Sequence, residues 1–192
     1  MKFKKSKYFD DYVTPFFKVQ KTRDLSKENN EPFYRLIGND SVICCLIDKS
    51  GDLILVEQFR KNLNKLTLEF PAGEIEKGEN PEKAMRREIA EETGMSCDLI
   101  GLGKYRMLLN RETNYYHVFL GFNANLIKGE NLESGIRIKT IKRQDFKKMI
   151  LKNDNFEQLA ALGIIYLADK HLDLQLLDNS WVVISDILFK KR

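Results

Sequence analysis

Short apolar stretches alternate with polar turns along the first two thirds of the chain, a pattern that is typical of β-strands. The segments that carry it are 12–23, 33–37, 42–48, 53–59, 66–70, 99–109, 115–123 and 136–141. A polar stretch at 24–31 predicts a turn between the first two, so we expect a small antiparallel unit at the N-terminus. A Gly-containing stretch at 49–52 predicts a hairpin between the next two.

Later segments have the spacing and end signals of helices, and they are Pro81–Thr93, 144–152 and 156–170. The first has clear ends, because Asn80 can cap it, Pro81 suits its first position and Gly94 can end it. The segment 181–189 is compatible with either a helix or an edge strand. The sum is a mixed sheet with several helices packed on it, an α/β (α+β) fold.

The chain has 192 residues, of which 43% are hydrophobic and 31% charged. These values are typical of a globular protein that can bury a core without disulfides or structural metals. At about 150 residues per domain, we expect one domain of the size of a typical catalytic domain plus about 40 further residues. We therefore predict a small N-terminal β unit at 1–40 and a main domain at 41–192.

Composition also excludes several classes of function. The net charge of +4 does not by itself indicate a nucleic-acid partner. Apolar runs such as 41–47 fall far short of the roughly 20 residues that span a bilayer, so no membrane partner is expected. The basic N-terminus is not followed by an apolar segment, which argues against a secretory signal. We interpret the three cysteines as reduced thiols in a cytoplasmic protein.

The candidate chemistry lies in an acidic helix. Glu88, Glu91 and Glu92 stand at positions i, i+3 and i+4 of the predicted helix, so all three project to one side. Carboxylates without histidine or thiolate are hard oxygen ligands, which suit Mg²⁺ or Mn²⁺. Such ions commonly bridge carboxylates to phosphate oxygens. Taken alone, the same three residues also fit a solvated acidic helix face.

The wider spacing around this helix is more specific. It fits the Nudix box, G-x5-E-x7-R-E-U-x-E-E-x-G-U, at all nine specified positions. These are Gly73, Glu79, Arg87, Glu88, Ile89, Glu91, Glu92, Gly94 and Met95. A chance match in a chain of this length has a probability on the order of 10⁻⁷. The chain therefore resembles the Nudix hydrolase family.

That resemblance implies an α/β/α sandwich and hydrolysis of a nucleoside diphosphate linked to another moiety. It makes Glu88 and Glu92 the main ligands of Mg²⁺ or Mn²⁺, with Glu91 in support. The backbone carbonyl of Ala72 is a further expected ligand. Arg87 is expected to orient the glutamates, and both Arg87 and Glu91 count among the expected catalytic residues.

Residues outside the box indicate which subgroup of the family the chain resembles. The segments 55–60 and 68–73 are similar to the V-x-Q-Y-R and E-L-P-A-G patterns of ADP-ribose and nucleoside-diphosphate-sugar pyrophosphatases. By that resemblance Arg60 and Glu69 belong to the substrate site. It also implies a homodimer in which the N-terminal unit contributes to the partner's site. There Phe17 could stack on a nucleobase, although ordinary packing within the β unit is the simpler role for it.

One departure keeps the substrate open. No proline follows Pro81, and the loop at 110–114 is short, whereas the typical ADP-ribose hydrolase has a proline in this loop. ADP-ribose is the leading candidate, and GDP-mannose or another nucleotide sugar is the alternative. A housecleaning nucleoside triphosphate hydrolase and a non-catalytic nucleotide sensor are further alternatives.

The resemblance also places a general base on that loop, where Glu112 is the sole carboxylate. Glu112 is therefore a candidate catalytic residue. It could equally be a solvated loop residue, in which case the water is activated without a dedicated base.

Overall fold

The computed structural model describes residues 7–25, 31–127, 132–152 and 156–190. The strands are β1 (Tyr8–Val13), β2 (Lys18–Leu25), β3 (Pro32–Ile37), β4 (Ser41–Asp48), β5 (Leu53–Arg60), β6 (Lys65–Glu69), β7 (Ala72–Glu74), β8 (Met95–Tyr105), β9 (Tyr116–Leu126) and β10 (Ile136–Ile141). The helices are α1 (Pro81–Thr93), α2 (Arg143–Lys152), α3 (Leu159–Leu172) and α4 (Trp181–Lys190).

The N-terminal strands form a separate antiparallel sheet in the order β1-β2-β3. The single strand predicted at 12–23 was wrong, because a tight turn divides it. Thr14 Oγ1 accepts hydrogen bonds from the backbone N–H groups of Phe16 at 3.2 Å and Phe17 at 2.9 Å. Pro15 lies inside this turn and cannot donate to a β ladder. Of the turn predicted at 24–31, residues 26–30 lie outside the described part of the chain.

The main sheet is mixed, as predicted. Its order is β10-β5-β4-β9-β8, with β6 paired to β5 and β7 paired to β4. The β4–β9 pair is parallel, and the other pairs are antiparallel. All side chains from Val42 to Ile47 are buried, because β4 is central and both of its faces are covered.

Helices cover both faces of this sheet. Ala84, Met85 and Ile89 of α1 pack with Val42 and other residues on one face. The C-terminal helices contribute to the larger cluster on the opposite face, which includes Phe146, Ile164 and Leu188. The result is the predicted α/β/α arrangement, and the fold class is confirmed.

Three elements differ from the sequence prediction or complete it. The strand predicted at 99–109 runs instead over Met95–Tyr105, starting directly after the cap of α1. Strand β7 was not predicted, because it has only three residues and follows Pro71. The segment that was compatible with a helix or an edge strand is the helix α4.

The C-terminal helix is tied to the far end of the β4–β5 hairpin. Trp181 Nε1 donates a hydrogen bond to the carbonyl of Lys49 at 2.8 Å. Gly51 has a φ of +85°, and a Cβ there would lie 2.5 Å from the Trp181 ring. This turn therefore needs glycine for its conformation and for the space that the indole fills. None of the described helices is long and apolar enough to span a membrane.

Candidate functional site

The site is built around α1, whose two ends are fixed by its own sequence. Asn80 Oδ1 accepts a hydrogen bond from the backbone N–H of Lys83 at 2.9 Å, as an N-cap should. Gly94 ends the helix in the left-handed conformation, with a φ of 62°. Because one side of α1 is anchored in the core, its other side presents Glu88 and Glu92 to β7. Both carboxylates are buried, with residue exposures of 9% and 4%.

The two buried carboxylates converge on the backbone of β7. A Cβ at Gly73 would lie 2.0 Å from the carboxylate carbon of Glu88, so this carboxylate occupies the space that any side chain would need. The backbone N–H of Ala72 donates a hydrogen bond to Glu92 Oε2 at 3.0 Å. The sequence-predicted residues Ala72, Glu88 and Glu92 are thus brought together.

Arg87 orders the acidic side chains with its guanidinium. Its Nε and Nη2 donate to the two oxygens of Glu79 at 3.2 and 3.0 Å. Its Nη1 donates to Glu88 Oε1 at 2.7 Å and to Glu91 Oε2 at 3.1 Å. Its Nη2 also donates to the carbonyl of Glu74 at 2.9 Å. One cation therefore links the loop before α1, the end of β7 and two box glutamates.

Burial makes the ionised forms of Glu88 and Glu92 less favourable. Loss of solvent and the neighbouring charges of Glu88 and Glu133 raise the pKa of Glu92 to about 8, although the Ala72 hydrogen bond opposes this. Burial also raises the pKa of Glu88, against the opposing effect of Arg87. Because the ionised forms are disfavoured by desolvation and mutual repulsion, an added cation would be strongly attracted.

The donor set fits a hard divalent cation. Two buried carboxylates meet a backbone segment, and oxygen donors of this kind suit Mg²⁺ or Mn²⁺. The side chain of Glu91 is half exposed and rests on Arg87. Within the described ranges, no group of three His, Cys, Asp or Glu side chains is gathered closely enough to hold a metal ion. The acidic pair and the backbone, rather than all three glutamates, form the preassembled part.

The sequence interpretation missed Glu133, which lies at the same site. The backbone N–H of Glu133 donates to the carbonyl of Glu91 at 2.9 Å, which fixes this residue beside the C-terminal turn of α1. Its negative charge helps to raise the pKa values of Glu88, Glu92 and Arg60. In the sequence, Glu133 is marked only as a carboxylate in the polar stretch between β9 and β10, and it belongs to neither the Nudix box nor the segments 55–60 and 68–73.

Arg60 and Glu69 form a close ion pair across the β5–β6 hairpin. Arg60 Nε and Nη2 donate to the two carboxylate oxygens of Glu69 at 2.8 and 2.6 Å. Thr67 Oγ1 adds a hydrogen bond to the same carboxylate at 2.6 Å. Burial alone would raise the pKa of Glu69, but these hydrogen bonds outweigh it, and the pKa is lowered. The pair is therefore fully charged at neutral pH.

The Arg60–Glu69 pair lies on the wall of an open cavity of about 740 Å³. Its lining also includes Lys65 and Glu157, which form an ion pair at 2.5 Å. This volume is within the range of small-molecule sites. Glu92 and Glu133 help to raise the pKa of Arg60, so the cavity wall lies within electrostatic reach of the acidic pair. Neither Glu88 nor Glu92 lines the cavity itself.

Glu112 lies in a different environment from the acidic pair. Its loop docks on the N-terminal sheet, where the backbone N–H of Leu36 donates to the carbonyl of Arg111 at 2.7 Å. Glu112 Oε2 is buried and finds no hydrogen-bond donor within the described part of the chain. The charge of Glu112 acts on Tyr116, whose pKa is raised first by burial and then by this carboxylate. Phe17 lies in the turn before β2 with 42% of its surface exposed.

Comparison with known proteins places these features in context. The model of the NUDIX domain matches residues 39–156. The ADP-ribose pyrophosphatase of Bacillus subtilis (strain 168) is 28% identical over 131 residues, covering 66% of this chain and 71% of that protein. The ADP-sugar pyrophosphatase of Mus musculus is 60% identical over 42 residues, covering 22% of this chain and 19% of that protein.

A solved structure described as an ADP compounds hydrolase has a similar fold. The TM-score is 0.71 over 90% of this chain and 97% of that chain, with 19% sequence identity. At that identity the similarity supports the fold alone.

The approach of Glu88 to β7 gives a direct test. We expect Gly73→Ala to weaken Mn²⁺ binding by about 10- to 100-fold, because the new Cβ displaces the Glu88 carboxylate. Isothermal titration calorimetry measures the affinity, and a thermal melt followed by circular dichroism checks the fold. The matched control is Gly38→Ala, since a Cβ at Gly38 meets nothing within 4 Å. Equal Mn²⁺ affinity in the two folded variants would contradict this geometry.

Proposed function

This chain belongs to the Nudix family, and on that premise we propose that it hydrolyses the pyrophosphate bond of a nucleoside diphosphate sugar. ADP-ribose is the leading candidate, and the products are a nucleoside monophosphate and a sugar phosphate. The enzyme is a Nudix hydrolase related to ADP-ribose and ADP-sugar pyrophosphatases. The observation that carries the proposal is the placement of Arg60 between an open cavity and the buried acidic pair.

The cavity offers a guanidinium group and a volume that suit such a substrate. A diphosphate meets Arg60, whose fork of N–H donors suits phosphate oxygens. Glu69 holds this guanidinium with two hydrogen bonds, so its direction is fixed before the substrate arrives. The volume of about 740 Å³ accommodates a moiety attached to one side of the diphosphate.

We assign the divalent ion to the backbone carbonyl of Ala72 and to Glu88 and Glu92, with Glu91 in support. When bound, Mg²⁺ or Mn²⁺ neutralises charge that builds up on the phosphate oxygens during attack. Arg87 acts as a positioning residue, because its hydrogen bonds fix the carboxylate of Glu88 and the loop that carries Glu79.

The water that attacks phosphorus has to lose a proton, and two carboxylates are candidates to take it. We favour Glu133, because a backbone hydrogen bond holds it beside Glu91 and its charge acts on Glu88, Glu92 and Arg60. Glu112 remains the candidate that the family resemblance suggests. Its contacts with the N-terminal sheet and its action on Tyr116 favour a role in docking the loop.

The proposed reaction is tested with a panel of substrates in Mg²⁺ or Mn²⁺. ADP-ribose, GDP-mannose, other nucleotide sugars and an oxidised nucleoside triphosphate are incubated with the enzyme, and the products are separated by chromatography. We expect a nucleoside monophosphate and a sugar phosphate, with the highest kcat/KM for ADP-ribose. Glu92→Gln should lower turnover by about 10²-fold or more while the fold survives, because it removes a charged ligand.

The outcomes of this panel separate the competing functions. Free pyrophosphate from a nucleoside triphosphate would indicate a housecleaning enzyme. A higher kcat/KM for GDP-mannose would support the proposed reaction but would replace ADP-ribose as the substrate. Tight nucleotide binding without turnover would indicate a sensor, and near-normal turnover in folded Glu92→Gln at saturating Mg²⁺ would remove the metal assignment.

The two candidate bases are distinguished by their kinetics. We expect Glu133→Gln to lower kcat by about 10²- to 10⁴-fold, to leave KM within a few-fold, and to recover partly as hydroxide replaces the base at higher pH. Glu112→Gln should change kcat by less than about threefold at every pH, since Glu112 contacts the N-terminal sheet and its charge acts on Tyr116. Steady-state pH profiles of both variants provide the measurement. The reverse pattern would transfer the catalytic role to Glu112.

We also propose that the enzyme is a homodimer assembled through the N-terminal sheet. Large apolar side chains are exposed on this sheet and in its first turn, and they are Tyr12, Val13, Phe16, Phe17, Phe33 and Tyr34. A small sheet that exposes so many aromatic groups is stabilised when a second copy covers it. A two-fold contact buries the same patch on both subunits.

This assembly is tested by a charge placed in the exposed turn. Phe16 is 73% exposed, and we expect Phe16→Asp to convert a dimer into a monomer in light scattering at micromolar concentration. Leu159→Asp is the control, because Leu159 is 74% exposed but lies at the start of α3. A wild-type monomer with full activity would refute both the dimer and a role for Phe17 in the partner's site.

A further inference from the structure

Two cysteine thiols that the proposed reaction does not use meet beneath α1. Cys44 lies on β4 and Cys97 on β8, with β9 between these strands. A Cβ built at Gly121 of β9 would lie 2.8 Å from Cys44 Sγ and 3.2 Å from Cys97 Sγ. The two sulfur atoms are therefore no more than about 6 Å apart. Because Gly121 has no side chain, both thiols can occupy the space above β9.

This arrangement does not favour a disulfide. β4 and β8 each pair with β9 and not with each other, so they lie two strand spacings apart, about 9.6 Å. A disulfide needs Cα atoms within about 7 Å. Closing an S–S bond would therefore require the central part of the sheet to be rebuilt, whereas an atom placed between the sulfurs requires only side-chain rotation.

The surroundings of the two thiols are soft and apolar. Cys44 is fully buried in the cluster under α1, and Cys97 packs against that cluster. The same cluster contains Met85, with the partly buried Met95 at its edge. Burial raises the pKa of Cys97 to about 12 and that of Cys44 well above its usual range. Both groups therefore remain thiols until a ligand with high affinity for thiolate displaces the protons.

We propose that Cys44 and Cys97 bind one soft monovalent cation of the Cu(I) class in two-coordinate geometry. Two S–H bonds break, two protons leave to solvent, and two sulfur–metal bonds form without any change in oxidation state. If the metal–sulfur bonds are close to the roughly 2.3 Å of zinc–sulfur bonds, a linear site places the sulfurs about 4.6 Å apart, which is within the upper limit of about 6 Å. Thiolate and thioether sulfur are the ligands that select Cu(I) over harder cations.

The charge and the route of entry are consistent with this ligand. A bis-thiolate with a monovalent cation carries one negative charge. The guanidinium of Arg86 donates a hydrogen bond to the Cys97 carbonyl at 2.8 Å and acts on the Cys97 thiol, where it opposes the charge of Asp98. It also pairs with Glu82, so it offsets the negative charge of the site only in part. Cys97 is only partly buried, so the ion reaches the pair from this side. Met85 and Ile89 of α1 belong to the same apolar cluster.

The test uses Ag⁺ as a redox-inert probe of the same class, added to the reduced full-length protein. Native mass spectrometry counts bound ions, and ultraviolet absorption reports silver–thiolate bonds. We expect one tightly bound Ag⁺ per chain, and an affinity at least about 100-fold lower in Cys97→Ser and in Cys97→Ala. Cys45→Ser is the matched control, because Cys45 is equally buried but belongs to the cluster on the opposite face of the sheet.

The results are independent of the proposed substrate, since binding is measured without turnover. Thermal melts of all variants identify any that fail to fold. Two substitutions, Cys97→Ser and Cys97→Ala, are made at the partly buried position so that the test can still be read if one of them does not fold. Unchanged Ag⁺ affinity in folded Cys97→Ala overturns the proposal. Loss of the tight ion in Cys45→Ser, with retention in Cys97→Ser, overturns it as well.

Discussion

The burial of two carboxylates between α1 and β7 is the constraint on which the rest of the site depends. A buried charge is costly unless other groups compensate for it. Here Glu92 receives the N–H of Ala72, and Glu88 receives the guanidinium of Arg87. The pKa of Glu92 is nevertheless raised to about 8, so the protein alone does not fully balance this charge. This unbalanced charge is the physical basis for proposing a cation at the site.

Rigid elements hold these carboxylates in place from several directions. The helix α1 is fixed by its caps and by its buried face. Strand β7 is fixed by antiparallel pairing with β4, in which Ser41 lies opposite Glu74, Val42 opposite Gly73 and Ile43 opposite Ala72. β4 in turn lies at the centre of the sheet, in parallel register with β9. The glycine at position 73 joins the two parts, because it lets a helix side chain approach a strand backbone directly. Positional precision in the site therefore derives from the centre of the sheet.

Local patterns predicted the elements whose signals are contained in a few residues. The helix Pro81–Thr93 was predicted with its observed ends, because cap, first-turn proline and terminal glycine are all local. The family and the fold class followed from the box spacing, and both are confirmed. The division of the first strand was missed because one side-chain hydroxyl, that of Thr14, determines it. β7 was missed because a three-residue strand exists only through its partner.

Glu133 shows most clearly why part of the site was beyond local patterns. It is separated from Glu92 by 41 positions, and its place beside α1 depends on a backbone hydrogen bond to Glu91. No periodicity along the chain records such a contact. Arg60 illustrates the converse case, since its strand motif was recognisable but its pairing with Glu69 depends on the hairpin register.

The charges that the fold brings together also determine how a substrate is received. Glu69, Glu88, Glu92 and Glu133 surround the site, whereas Arg60 and Arg87 are the guanidinium groups that contact or face them. Each arginine is already hydrogen-bonded to carboxylates, so its positive charge is largely offset before a diphosphate approaches. At separations of a few ångströms, repulsion between like charges in a partly buried site amounts to several kcal/mol. On the proposed function, a doubly charged diphosphate is therefore expected to bind together with divalent cations, which offset the negative charge of these carboxylates.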